Sequence, residues 1–224
     1  METTLLKNKR KKGSLLITLG LLLIAAALGL TAWNLYDEHR AEQSVSQVVE
    51  QLDQILPPAP DPDFQTIEVP DYVLNPDMER PVETIDGQNY IGVLSIPALE
   101  LELPIISEWS YPRLKTAPCR YTGSVYKNDM IIAAHNYASH FGNLKYLQEG
   151  DEVAFTDMDG NVFRYEVALQ ETLQPTAITE IQQGDWDLTL FTCTIGGAYR
   201  VTVRCQRTDD PFTVWEGNGS EGKG

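Results

Sequence analysis

The stretch Thr189-Leu190-Phe191-Thr192-Cys193 is an apolar, β-prone run that ends in a cysteine. Two chemical partners for this thiol stand at the ends of other β-prone runs. His135 lies 58 residues upstream, directly after Met130-Ile131-Ile132-Ala133-Ala134, and Arg200 lies seven residues downstream, where Arg200-Val201-Thr202-Val203-Arg204 begins. On neighbouring strands, the thiol would attack a carbonyl, the imidazole would move protons and the guanidinium would stabilise negative charge on oxygen. The pattern therefore indicates cysteine-dependent acyl transfer.

This combination resembles the sortases, which are membrane-anchored cysteine transpeptidases of Gram-positive bacteria. The resemblance rests on Thr189-Leu190-Phe191-Thr192-Cys193, which matches the family's Thr-Leu-x-Thr-Cys, on Ala134-His135-Asn136 and on Arg200 in the following strand. It covers roughly residues 86 to 210. It implies that Cys193 is the nucleophile, that His135 protonates the leaving amine and deprotonates the incoming one, and that Arg200 holds the oxyanion or the substrate.

The resemblance also implies that Thr192 adds a donor to the oxyanion and that Asn136 helps to orient the loop after His135. Three aromatic residues, Trp109, Tyr111 and Trp186, are candidates for lining a peptide groove. Trp186 is favoured among them because it stands two residues before the strand that ends at Cys193.

Two residues compete with the assigned ones. His140 stands in a loop between Ser139 and Phe141, where solvent exposure is expected, whereas His135 ends a strand that would fix its position. Arg204 would lie about 13 Å further along its strand than Arg200, on the same face, so Arg200 is the better partner for the thiol.

The chain has three cysteines, and an odd count leaves at least one thiol without an intrachain bridge. Cys119 and Cys205 are expected either to form a bridge or, as the favoured alternative, to be two buried free thiols. No pair of Cys or His residues has the spacing of a structural zinc site, so neither a metal nor another cofactor is expected.

The N-terminal part of the chain predicts a membrane anchor. Residues 1–12 contain five basic residues, and residues 13–36 carry no charge. As a helix, the uncharged stretch would span roughly 36 Å, enough for a bilayer core of about 30 Å. The positive-inside rule predicts a cytoplasmic N-terminus and an extracellular catalytic domain. A cleaved signal peptide is the alternative, but its apolar region is normally shorter.

Residues 37–85 are expected to form an extracellular stalk helix and a Pro-rich linker. Apolar residues recur at spacings of three and four in the first part, and this face would lie on the domain or pair with another chain: Val45, Val48, Val49, Leu52, Ile55 and Leu56. Residues 57–85 contain seven prolines, which predicts an extended spacer without a core of its own. Within it, Asp61-Pro62-Asp63-Phe64 faintly resembles the Asp-Pro-aromatic lid of pilus-building sortases.

Residues 86–215 are expected to be the catalytic domain, and residues 216–224 a flexible tail. Seven short β-prone runs are separated by Gly, Pro, Asn and Asp, which is typical of a barrel or a sandwich. The runs are Ile91–Ile96, Leu101–Ile106, Met130–His135, Glu152–Thr156, Val162–Leu169, Leu188–Cys193 and Tyr199–Arg204. The resemblance selects a mainly β fold, the eight-stranded sortase barrel with short helices.

From residue 34 onward the chain has 12 basic and 31 acidic residues, and this acidity does not suit nucleic-acid binding. The resemblance implies partners of another kind: exported proteins with a C-terminal sorting motif, and an amine acceptor on a peptidoglycan precursor or a pilin. Two alternatives remain, a secreted cysteine peptidase that uses water as the acceptor and a non-catalytic membrane-anchored binding module.

Overall fold

The structure, a computed structural model, describes residues 2–57 and 69–209. The stretch at residues 61–64 that resembles a lid motif, residues 58–68 of the predicted spacer and the predicted tail at residues 216–224 lie outside these residues. The contacts divide the chain into two compact units, residues 1–40 and residues 41–224. Each unit is described by itself.

The first unit is helical. Helix α1 begins at Glu2 and ends at Ile55, and so extends into the second unit. Its most apolar 18-residue window has a mean hydropathy of 2.5, and none of that window is buried. Side chains such as Leu15, Leu21 and Leu28 are more than half exposed. A helix that is apolar and unburied over this length fits a membrane anchor, because lipid can cover its side chains.

The second unit begins with the remainder of α1, whose apolar face is covered. Ala41, Val45, Val48 and Leu52 are buried at spacings of four and three residues. Val45, Val48 and Leu52 belong to the same core cluster as the strands that follow. The apolar face was expected either to lie on the domain or to pair with another chain. In the structure it lies on the domain.

Within residues 69–209, nine strands form one sheet that closes on itself, and the short α-helices of this range are α2 (Asp71–Leu74), α3 (Tyr111–Leu114) and α4 (Ile178–Gln182). The strands are β1 (Glu83–Ile85), β2 (Gln88–Ile96), β3 (Leu101–Ile106), β4 (Cys119–Thr122), β5 (Met130–Ala133), β6 (Glu152–Asp157), β7 (Val162–Leu173), β8 (Leu188–Cys193) and β9 (Arg200–Arg207). Their order is β1-β2-β3-β4-β5-β8-β9-β7-β6, and β6 pairs back onto β2. Strands β2 to β9 thus form the expected eight-stranded barrel, while β1 pairs only with residues 88–90 of β2.

All seven predicted strands are present, two with the predicted bounds and five with shifted ends. Strand β5 ends at Ala133, two residues before the predicted end, and β7 continues four residues further, to Leu173. Strands β1 and β4 are not among the predictions, because β1 has only three residues and β4 carries no apolar alternation. A turn at residues 158–161 joins β6 to β7, and there the Asp157 carboxylate accepts hydrogen bonds from the backbone amides of Asp159 and Asn161.

The prediction that residues 57–85 form a spacer without a core is wrong for residues 69–85. Helix α2 (Asp71–Leu74) buries Tyr72, whose ring stacks on Tyr126 with centroids 5.0 Å apart. Strand β1 follows after a connection of residues 75–82. The packed domain therefore begins well before the predicted boundary at residue 86, because one aromatic side chain anchors a segment that is otherwise rich in proline.

Buried apolar side chains from the barrel strands fill the core. Phe155 of β6 and Phe163 of β7, for example, are fully buried and pair across their hairpin. Cys119 and Cys205 are buried there, and all three cysteines are free thiols. The favoured prediction of two buried free thiols is therefore confirmed.

The packing of α1 against the barrel gives a first prediction. Leu52→Ala is expected to lower the free energy of unfolding by about 2–4 kcal/mol, because it removes a fully buried side chain and leaves a cavity. Ile55→Ala, three residues further on and 53% exposed, is expected to change it by less than about 0.5 kcal/mol. Urea unfolding of the detergent-solubilised chain measures both. Equal effects would contradict the packed position of the helix.

Candidate active site

The parallel pairing of β5 and β8 brings His135 and Cys193 to the same edge of the barrel. Ala133 is the partner of Phe191, and the Ala134 amide donates to the Phe191 carbonyl at 3.2 Å. His135 follows at once, and Cys193 is the last residue of β8. The Thr192 hydroxyl donates to the Ala134 carbonyl at 2.8 Å, which ties the two strand ends together.

The antiparallel pairing of β8 and β9 adds Arg200 to this edge, as the direct partner of Cys193. The connecting loop is tight, and its Gly196 and Gly197 have φ angles of 82° and 74°, which side chains with a Cβ rarely adopt. The Arg200 guanidinium donates to the carbonyls of Gly197 and Tyr199, each at 3.2 Å. These bonds hold the charged group at the loop.

His135, Cys193 and Arg200 line one cavity of about 290 Å³. Cys193 is partly exposed. The rest of the lining is mostly apolar and comes from several elements: Trp109, Leu114, Tyr121, Pro175, Ile178 and Phe191. A larger cavity of about 700 Å³ lies between the second part of α1 and the β2–β3 turn, but its lining includes Glu50, Asp53, Glu100 and Glu102 and neither a cysteine nor a histidine. The smaller cavity is the candidate active site.

Aromatic rings in contact line the cavity. Trp109 lies 5.4 Å from Tyr121 between ring centroids, and Tyr121 lies 5.5 Å from Phe191. Tyr111 also belongs to the lining and packs edge-on against Trp109. Trp186 does not line the cavity and lies against Gly184 instead. The preference for Trp186 is therefore wrong, because closeness in sequence to β8 does not determine which side of the barrel its ring covers.

Two other predicted residues, Thr192 and Asn136, lie at or near the cavity. Thr192 lines the cavity, but its hydroxyl donates to the Ala134 carbonyl, so in this arrangement the hydroxyl does not donate to an oxyanion. Asn136 is partly buried and does not line the cavity. It lies in the loop after His135, where the Phe141 amide donates to the His135 carbonyl at 3.1 Å.

His140 is fully buried, so the expected exposure of this residue is wrong. Neither ring nitrogen has a hydrogen-bond partner within residues 2–57 and 69–209. Burial, and to a smaller extent the nearby His135, lower the pKa of His140 to about 4. Its ring packs on Tyr137, whose other neighbour is His135. His140 is thus a neutral packing residue at neutral pH and does not compete with His135.

Arg204 is also buried, at 2% exposure. Its guanidinium bonds to Glu171 and to the backbone of residues 180 and 181. It does not line the cavity. Of the two arginines, only Arg200 can meet a substrate there.

The geometry of the site can be compared with known proteins. The sortase domain family matches residues 94–208. The chain belongs to the sortase family. Sortase A of Bacillus anthracis is 25% identical over 167 residues, which cover 70% of this chain and 77% of the relative. The resemblance found in the sequence is therefore confirmed, and with it membership of a family of transpeptidases.

Solved sortase structures are similar as well. Sortase C of Streptococcus pneumoniae is 27% identical with a TM-score of 0.48, and the match covers 53% of this chain and 68% of that protein. The sortase D5 transpeptidase of Clostridium perfringens is 24% identical with a TM-score of 0.49, covering 56% and 82% respectively.

The buried His140 gives a pH prediction. Its pKa is about 4 in the folded chain and near 6.5 when unfolded, so between these values the unfolded chain binds a proton that the folded chain does not. The free energy of unfolding should therefore fall as the pH falls from 6.5 to 4, with a contribution from this group of about 1–3 kcal/mol.

Urea unfolding at several pH values measures this contribution as the difference between the native chain and His140→Phe. The variant keeps an aromatic ring but cannot be protonated, so its stability should fall less over the same interval. Parallel pH profiles of the two proteins would contradict the assignment.

Proposed function

We propose that this chain is an active cysteine transpeptidase that cuts a C-terminal sorting signal of exported proteins and transfers the new acyl group to an amine. The observation that carries the proposal is that Cys193, His135 and Arg200 line one cavity, whereas the competitors His140 and Arg204 are buried outside it. A nucleophile, a proton carrier and a fixed cation are the groups that acyl transfer through a thioester requires.

The other cysteines support Cys193 as the nucleophile by exclusion. Burial raises the pKa of Cys119 to about 12 and that of Cys205 to about 12, so neither forms a thiolate at neutral pH. Both side chains are fully buried and out of reach of a peptide. Cys193 is the only cysteine of the three that is partly exposed and lines the cavity.

The reaction proceeds in two halves. The Cys193 thiolate attacks the carbonyl carbon of the sorting signal, and the Arg200 guanidinium donates hydrogen bonds to the oxygen as it becomes negative. His135 protonates the leaving amine as the C–N bond breaks, which leaves a thioester on Cys193. The incoming amine then attacks the thioester, His135 accepts its proton, and the C–S bond breaks. The thioester conserves the acyl activation, so ATP is not needed.

The proposal includes a position at the cell membrane, with the N-terminus in the cytoplasm and the catalytic domain outside. Five basic residues precede the apolar part of α1, and the chain after it is strongly acidic, which supports this orientation. Residues 1–12 would be the cytoplasmic tail and residues 13–36 the anchor. The enzyme would then meet its exported substrates and an amine acceptor, a peptidoglycan precursor or a pilin, at the same surface.

Activity is tested with a library of fluorogenic peptides, with hydroxylamine as the amine acceptor. Cys193→Ala should lower kcat/KM by at least about a thousandfold, and Arg200→Met by about a hundredfold. His135→Ala should lower kcat/KM by a factor between these two values. Cys119→Ala, a change of a buried thiol outside the cavity, is the control and should keep kcat/KM.

The same assay separates the alternatives by product. A transpeptidase forms the hydroxamate in preference to the free acid when hydroxylamine is present, whereas a peptidase forms the acid alone. A binding module would cleave no peptide, and iodoacetamide would alkylate its Cys193 no faster than an ordinary exposed cysteine. Formation of the acid alone would refute the proposed transpeptidation, and so would the absence of any peptide cleavage.

Orientation is tested on intact cells with a thiol reagent that does not cross membranes. Cys193 should be labelled, because it is partly exposed and would lie outside the cell. Cys193→Ala should abolish the labelling, since Cys119 and Cys205 are buried. Labelling of Cys193 only after the cells are lysed would overturn the proposed topology.

A further inference from the structure

Arg204 is a buried strand arginine whose guanidinium donates four hydrogen bonds, two of them to the backbone of one short segment. Its Nε donates to Glu171 Oε1 at 2.9 Å, and its Nη1 donates to the Ile181 carbonyl at 2.7 Å and to Thr189 Oγ1 at 3.1 Å. Its Nη2 donates to the Glu180 carbonyl at 2.6 Å. The planar fork thus joins β9, the end of β7, strand β8 and the segment between β7 and β8.

The segment between β7 and β8, residues 174–187, has little structure of its own. It contains only helix α4 (Ile178–Gln182), whose N-cap residue Ala177 makes no capping hydrogen bond with its side chain. A helix of five residues is not stable alone, and its last carbonyls have no partners within the helix. The Arg204 guanidinium donates hydrogen bonds to the carbonyls of Glu180 and Ile181. Its positive charge therefore lies at the C-terminal end of the helix, where the helix dipole favours a cation.

The same segment supplies one wall of the cavity. We call Pro175, Ile178 and Ile181 the pocket wall, because these three side chains line the cavity that also contains Cys193. Ile181 is buried, while Ile178 is 53% exposed and available to a ligand. Arg204 bonds to the backbone of the residue that anchors this wall, although its own side chain does not line the cavity.

We propose that Arg204 is a positioning residue: it holds the pocket wall in place before the substrate arrives and so determines how tightly the sorting peptide binds. This inference rests on the proposed function. A wall that is already ordered loses little conformational freedom when the peptide binds, whereas a loose segment must be ordered at the expense of affinity. Loss of the Arg204 bonds should therefore raise KM and leave kcat nearly unchanged, because Cys193, His135 and Arg200 keep their places.

The matched control is Arg207, on the same strand. Its side chain is 4% exposed and bonds to Asp209 and Asn128, and it lies over the Phe163 ring. Arg207→Met therefore removes a buried arginine with comparable contacts at the far end of β9, away from α4. It reports what the loss of a buried charge alone does to the domain.

The first measurement is hydrogen–deuterium exchange of the full-length chain in detergent, which needs no substrate. Arg204→Met should speed exchange of amides in residues 174–187 by at least about tenfold while β8 and β9 remain protected. Arg207→Met should leave that segment as in the native chain. If Arg204→Met does not fold, Arg204→Lys is measured instead. A single ammonium group cannot make all four hydrogen bonds of the guanidinium, so faster exchange of the same segment is expected, with a smaller effect than for methionine.

The second measurement is the kinetics of the peptide that the native enzyme cuts best in the fluorogenic library. Arg204→Met should raise KM by at least about fivefold and keep kcat within about twofold, whereas Arg207→Met keeps both. Unchanged exchange in residues 174–187, or a fall in kcat at constant KM, would overturn the role of Arg204. If the native chain cuts no peptide, the proposed function fails, and binding of the library to Cys193→Ala with and without Arg204→Met still tests the wall.

Discussion

The site depends on the parallel pairing of β5 with β8. Parallel strands end at the same edge of a sheet, so two segments that are 58 residues apart deliver an imidazole and a thiol to one place. The hydrogen bond from Thr192 to the Ala134 carbonyl locks that pairing at its last position. The hairpin from β8 to β9 then needs only a short loop to return Arg200 beside Cys193. Two pairings thus bring together groups from three strands.

Residues of the same type differ in burial, and this difference determines which of them can act in the cavity. Three thiols occur, but two are sealed in the core and one opens into a cavity. Two histidines follow β5, and the one that is enclosed stays neutral under its lowered pKa. Two arginines stand four residues apart on β9, one at the cavity and one among backbone carbonyls. In each set, the reactive member is the one that the fold leaves accessible, so accessibility selects the function as much as residue type does.

The local β patterns were sufficient to predict seven of the nine strands. The resemblance carried by the residues around Cys193 was sufficient to predict the barrel and the three residues that meet in the cavity. The sequence was insufficient where a side chain's environment comes from distant segments. The pocket wall has no signal of its own, since Pro175 and Ile178 look like ordinary loop residues until β7 and β8 are aligned. The packing of Tyr72 was missed for the same reason. Its ring stacks on Tyr126, which is distant in sequence, so nothing in the proline-rich segment around Tyr72 indicates that this residue is buried.

The enclosure of Cys119 and Cys205 has a consequence for redox chemistry. An oxidant that reaches the cavity would convert Cys193 to a sulfenic acid, and the usual intramolecular rescue is condensation with a second thiol. Both other sulfurs in this chain are out of reach in the core. Recovery of an oxidised enzyme would therefore depend on a reductant supplied by another molecule.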